Sequence, residues 1–193
     1  MSHPQNFHKN FFAIKFSNRI FLGKAMKWNL AHPLKDVQDI IEMGLDNLSH
    51  EENGILNASV DVFRKCLTVA ATVQLFDKSK ELLAVCRTDD ERLLGYCWFD
   101  RGGYTTYSKD EISNAKFHHV DLSLPVRLRV RLINEMIDQH ILWANLWGIP
   151  VVCSTSIRSE HDGFMRIHKK RGFKVTGSYA WIRTEEGIKC LMK

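Results

Sequence analysis

The sequence predicts an α/β fold of the α+β kind, a central mixed sheet flanked by helices. Three observations lead there. An alternating run at 26–31 and apolar strand-like runs at 80–87 and 93–99 mark strands. Apolar residues at helical spacing occupy 37–48, 60–75 and 126–144. The two patterns interleave along the chain, with hairpins among the strands.

In order, Met26 to Ala31 reads as a first strand. His32-Pro33 opens a helix, with proline in the first turn, where its missing N–H costs little. Val37, Ile40, Ile41, Gly44, Leu45 and Leu48 give that helix one face. Residues 49–54 form a loop. Asn57 or Ser59 caps the next helix, whose apolar residues include Val60, Phe63, Leu67, Ala70, Ala71 and Leu75. Lys80 to Arg87 and Leu93 to Phe99 form a hairpin across the turn at Thr88–Arg92. Ala115 to Leu124 is a strand, and Pro125 starts a long helix that Gly148 stops. Ile149 to Ile157 is a buried strand, residues 162–171 a short helix stopped by Gly172, and Phe173 to Arg183 the last strand.

The chain has 193 residues, the length of one domain, here with an arm. Residues 1–24 form that arm, with Phe7, Phe11, Phe12, Phe16 and Phe21 among lysines and arginines. So many phenylalanines call for a surface to cover them, on the body, on a protein partner or on a second copy of the chain. Residues 25–193 form the domain. No apolar run reaches the roughly 18 residues of a membrane helix, and the N-terminus lacks the apolar centre of a signal peptide. A cytoplasmic protein is expected. The five cysteines, Cys66, Cys86, Cys97, Cys153 and Cys190, have no C-x-x-C pair and read as buried reduced thiols. The net charge of +5 comes with acids and bases interleaved, which gives no nucleic-acid signature. One basic cluster stands out, at Arg166, His168, Lys169, Lys170, Arg171 and Lys174.

Phe164-Met165-Arg166-Ile167-His168-Lys169-Lys170-Arg171-Gly172-Phe173 is the most specific local pattern. It is joined by Leu94-Gly95-Tyr96 and by the apolar strand at 149–157. Together with the element order these residues resemble the GNAT N-acetyltransferase superfamily, over about residues 25–184. The resemblance implies acetyl-CoA as acyl donor and an amine as acceptor. It also implies a phosphate loop of the form Arg or Gln, two residues, Gly, one residue, Gly or Ala. Small residues there let a pyrophosphate approach the amides of a helix N-terminus. Here Val130 stands at the first small position and Leu132 at the second, with no glycine from Ser123 to Arg131. The coenzyme-binding residues the resemblance assigns are Leu122, Ser123, Leu124, Arg127, Leu128, Arg129, Val130 and Arg131. Residues two apart on a helix face different ways, so Arg127, Arg129 and Arg131 cannot all reach one pyrophosphate.

His168 holds the place of the family's proton-donating tyrosine, and imidazole can donate a proton near neutral pH. The bland alternative is a surface histidine in a basic helix. Alternation on the 115–124 strand puts Phe117, His119, Asp121 and Ser123 on one face, and His118, Val120, Leu122 and Leu124 on the other. His119 beside Asp121 reads as a base with its orienting carboxylate, or as a polar groove lining. Ser154 and Ser156 end the next strand, where the sheet should open. Glu160 and His161 replace the asparagine that the family often presents to the coenzyme. Glu51 and Glu52 sit in a loop that often covers substrate.

Two functions follow. One is an N-acetyltransferase acting on an amine, with His119, Asp121 and His168 as catalytic residues. The other is a catalytically degenerate protein of the same fold that serves as a structural or interaction component, of the kind found near virion genes of tailed phages. In that case the location is a virion.

Overall fold

A computed structural model describes residues 19–21, 24–50, 58–156 and 161–176. Among the described residues six strands form one sheet, in sequence order across it. They are β1 (Arg19–Phe21), β2 (Lys24–Leu30), β3 (Glu81–Thr88), β4 (Leu93–Gly103), β5 (Ile112–Val120) and β6 (Val151–Ser154). Neighbours from β1 to β5 pair antiparallel, and β5 pairs with β6 parallel. The mixed sheet expected from the sequence is therefore present. β1 draws the end of the aromatic arm into the sheet; residues 1–18, 22 and 23 lie outside the described residues.

Four helices cover the sheet: α1 (Val37–His50), α2 (Val60–Phe76), α3 (Val126–Leu146) and α4 (His161–Lys170). β3 alternates its side chains between two cores. Leu82, Ala84 and Cys86 face α3 with Phe99, Leu132, Met136 and Trp143. Leu83 and Val85 face α1 and α2 with Ile40, Phe63, Leu67 and Tyr96. A strand covered on both faces reads as a continuous apolar run, as Leu82 to Cys86 does.

Ser59 caps α2 through Val62 N–H. The buried stripe of α2 is Phe63, Leu67, Ala70, Ala71 and Gln74. Cys66 falls off that stripe and is exposed, contrary to the expected burial, while Cys86 and Cys97 are buried as expected. Gln74 replaces an apolar residue because it bridges two backbones, donating to Ala31 O at 2.8 Å and accepting from Leu83 N at 2.9 Å. Residues 33–36 form a turn, so α1 begins at Val37 and not at Pro33. Asp36 explains the delay. Its carboxylate takes His32 N–H at 2.7 Å and two guanidinium bonds from Arg87 at 2.9 and 2.7 Å. Arg87 also reaches Asp39 at 2.6 Å.

Gly95 is required by close approach. A Cβ there would lie 2.7 Å from His119 O and 2.9 Å from Met136 Cε. The glycine lets α3 sit down on β4 and β5.

Breaking a buried ion pair by removing one partner strands the other charge. Arg87→Leu is expected to cost about 3–5 kcal/mol by urea denaturation, since it leaves Asp36 buried and uncompensated. A loss under about 1 kcal/mol, the scale of an exposed pair, would show that Arg87 does not hold α1 to the sheet.

Candidate functional site

β5 pairs with β4 from Ile112 to Val120 but with β6 only from Ile112 to Ala115, opposite Val151 to Ser154. Among the described residues, Lys116 to Val120 have no strand on that edge. The register against β4 slips at the same place. Phe99 opposes Ala115 and Trp98 opposes Phe117, so Lys116 is the extra residue of a bulge. A bulge bends its strand and increases the local twist. The Lys116 ammonium bonds Asp100 at 3.0 Å and lies 4.4 Å from the centre of the Trp98 ring. The two parallel strands thus part at their carboxyl ends, the usual place for a ligand in sheets with parallel strands.

α3 starts just beyond that opening. Residues 121–125 are a turn, not the end of a strand running to Leu124. Asp121 makes the turn, accepting Ser123 N–H at 2.8 Å, while Leu124 N–H returns to Asp121 O. Arg92 clamps it through Asp121 at 2.6 Å and Ser123 Oγ at 3.1 Å. Burial acts to raise the Asp121 carboxyl, but the bonds from Ser123 and Arg92 outweigh it and hold it below its ordinary value. Asp121 therefore serves the turn. It does not continue the β5 face of His119, as simple alternation expected.

Pro125 gives α3 no side-chain cap. The first amides of a helix lack partners inside the helix and favour an anion. The bulky residues at the positions where the sequence resemblance expects glycines do not all crowd this end. Leu132 is fully buried against the sheet, and Leu128 and Leu124 join the same core. The coenzyme-binding role assigned to Leu124 and Leu128 therefore cannot involve their side chains. Val130 and Leu122 are exposed. Arg131 is committed to Glu135 at 3.0 Å, and Glu135 also takes the Trp28 indole N–H. Arg127 is exposed, and Arg129 Nε is buried with no partner among the described residues.

His168 is 2% exposed, so it is no surface histidine. Its neighbours Arg166, Lys169, Lys170 and Arg171 are exposed, as a solvated basic face requires. Gly172, at a φ of 87°, ends α4. Phe173 N–H then bonds His168 O and Gly172 N–H bonds Lys169 O, the two bonds of a Schellman cap. This turn folds the Phe173 ring back to 4.9 Å from the His168 ring, with Phe164 at 4.4 Å. Arg171 ties the helix end to Asn134 and Asp138 of α3.

On β5, His118 stands edge-on to His168, ring centres 6.1 Å apart, and 6.3 Å from His140 of α3. His118 and His140 were not among the residues singled out from the sequence. The one signal was a histidine on a strand face otherwise occupied by Val120 and Leu124 and another in the apolar stripe of α3. His140 stacks on Phe99 at 4.1 Å and contacts Ser113 Oγ at 2.7 Å. Ser113 gives its one proton to Asp100 O, so His140 Nε2 is the donor in that contact. The Nε2 atoms of His118 and His168 and the Oγ of Ser154 are buried without partners among the described residues. Orphans of this kind cost about 1–3 kcal/mol each, and they ask for a ligand or a role. His119 points to the opposite face, 6% exposed and 5.5 Å from Tyr96. α4 begins at His161; Glu51, Glu52 and Glu160 lie outside the described residues. No described group of three or more His, Cys, Asp and Glu could hold a metal ion.

Comparison with solved structures identifies the architecture. An aminoglycoside 6′-N-acetyltransferase from Acinetobacter baumannii superposes with a TM-score of 0.58, at 14% identity, over 83% of this chain and 98% of that one. The fold is that of the GNAT acetyltransferases. A second aminoglycoside N-acetyltransferase, solved with coenzyme A, gives a TM-score of 0.59 at 13% identity, over 86% of this chain and 99% of the other. Glucosamine-6-phosphate N-acetyltransferase from Arabidopsis thaliana gives 0.55 at 10% identity, over 83% and 99%. No protein-family model matches the sequence, and no curated protein matches it. The GNAT fold is thus carried by a sequence only 10–14% identical to these structures.

Burial holds the three imidazoles neutral. It pushes His118 well below its ordinary value, helped by His140 and His168, and His140 down to about 3. Unfolded histidine titrates near 6.5. Stability is therefore full above about pH 6.5 and falls as the pH drops toward the folded values, because only the unfolded chain takes up the protons. Urea denaturation is expected to show a loss of about 2 kcal/mol from His140 by pH 5, with losses of the same sign from His118 and His168. His118→Gln removes its share of that acid sensitivity. An unchanged pH dependence in the variant would mean that His118 titrates normally in the folded protein.

Proposed function

We propose that the protein transfers an acetyl group from acetyl-CoA to an amine. The observation that carries this is the parting of β5 from β6 at Ala115 and Ser154, with the open N-terminus of α3 beyond it and partnerless polar atoms beneath it. The coenzyme supplies a thioester, whose acyl carbon an amine can attack and whose sulfur leaves. The first amides of α3, with Arg127 and Arg129 near them, suit a pyrophosphate. The Ser154 hydroxyl can hydrogen-bond a ligand between the strands. In this reading His168 handles the proton that the leaving sulfur takes up, and Phe164 and Phe173 pack against its ring. His119 packs beside Tyr96 on the opposite face of β5 and is left outside the proton transfer.

The short turn at 121–125 favours a second reading, an interaction protein of this fold that has given up catalysis. The turn has no glycine, and Arg92 clamps it. In that reading residues 1–24 make the contact with a protein partner or a second copy.

The test is release of thiol from acetyl-CoA on adding a panel of primary amines. Amine-dependent release supports acetyl transfer. Absence of both release and acetyl-CoA binding at millimolar ligand would leave the interaction reading. Arg127→Glu is expected to weaken acetyl-CoA at least about tenfold in calorimetry, the scale of one charge-assisted bond. Ser154→Trp, which puts bulk into the opening, is expected to do the same with the circular dichroism spectrum unchanged. Affinity unmoved by both variants would place the coenzyme elsewhere.

A further inference from the structure

His168 Nδ1 lies 3.0 Å from Phe164 O. A carbonyl oxygen only accepts, so the proton of that bond is on Nδ1. Neutral imidazole carries one N–H, which leaves Nε2 bare. That atom is also buried and without a partner among the described residues. A bare ring nitrogen is a proton acceptor, which is the opposite of what a simple stand-in for a proton-donating tyrosine would present. The tautomer is held firmly, because Phe164 and Phe173 pack against the ring and the Gly172 cap fixes the turn behind it. Among the described residues, the titratable groups around His168 are His118 from β5, in ring contact with it, and His140 from α3, which interacts with it through charge. Both are imidazoles that burial keeps neutral, and among the described residues no carboxylate acts on His168 to hold a proton there. Burial likewise lowers His168 itself.

We propose that His168 is first the base and then the acid of the reaction, one nitrogen serving both steps. This rests on the acetyl-transfer reading above. As the C–N bond forms, the amine nitrogen sheds a proton to Nε2, and the ring becomes a cation still anchored through Nδ1–H. As the C–S bond breaks, Nε2–H returns the same proton to sulfur. The products are the amide and the free thiol, and the ring ends in its starting tautomer. No second base is needed, and His119 on the other face of β5 is not one.

Two measurements on the full chain test this. Imidazole nitrogen NMR at pH 7 is expected to show His168 neutral with its proton on Nδ1, with or without acetyl-CoA. A proton on Nε2, or a charged ring, would overturn the proposal whatever the activity. In the thiol-release assay with the fastest amine of the panel, His168→Tyr and His168→Phe are expected to lose turnover equally, about 10²–10⁴-fold, because tyrosine can donate a proton but cannot accept one at neutral pH. A His168→Tyr enzyme near wild type would make His168 an acid alone and overturn the proposal. So would His119→Ala, folded by circular dichroism, falling as far as His168→Phe. Wild type that binds acetyl-CoA but acetylates no amine would overturn it too, whereas failure to bind acetyl-CoA at all would defeat the acetyl-transfer reading itself.

Discussion

The site depends on two parallel strands that stay together for only four residue pairs. β6 follows β5 from Ile112 to Ala115 and then ends at Ser154. Among the described residues β5 goes on alone on that side, still tied to β4 on the other. The Lys116 bulge marks the change, and its ammonium is fixed by Asp100 and the Trp98 ring. Strands normally avoid an unpaired inner edge, since each idle N–H and C=O loses a hydrogen bond. An opening at this point, with a helix N-terminus after it, is what an extended ligand with amide groups and phosphates would fit.

The rest of the molecule keeps that opening in place. Two cores grip the sheet from opposite sides, one under α3 and one under α1 and α2. Arg87 fastens α1 through Asp36, Gln74 fastens α2 through Leu83, and Gly95 lets α3 descend. α4 covers His118 with Phe164 and His168 and is moored to α3 by Arg171. The histidine patch thus lies between elements that are anchored independently. Pre-organisation of this kind suits a site whose groups must hold one tautomer and one orientation.

Much of the fold was legible in the sequence, because periodicity is a direct print of burial. α2 and α3 follow their apolar stripes, and β3 and β4 follow the runs at Leu82 and Leu93. β5 was not legible at either end. It begins at Ile112, three residues before its apolar alternation was read as starting, and Ser113 is buried there through bonds to Asp100 O and His140. It ends at Val120, although Val120, Leu122 and Leu124 continue the alternation, because Asp121 caps a turn and Pro125 must start the helix. The bulge has no sequence signature, since Lys116 looks like any polar position. Leu132, at a position where the resemblance expects a small residue, does not obstruct the helix end, because α3 turns its side chain into the core. His168 was hidden by its neighbours. Only the Gly172 cap, which swings Phe173 over it, reveals that one residue of a basic run is buried.

Entry of a coenzyme into the gap between β5 and β6 separates acetyl transfer from the interaction role. Amide hydrogen exchange with and without acetyl-CoA tests this directly, because an edge amide that gains a partner slows its exchange. Slowed exchange concentrated at Lys116–Val120, Val151–Ser154 and the first turn of α3 is the predicted result. Unchanged exchange there, with binding shown or protection gained elsewhere, would contradict the account.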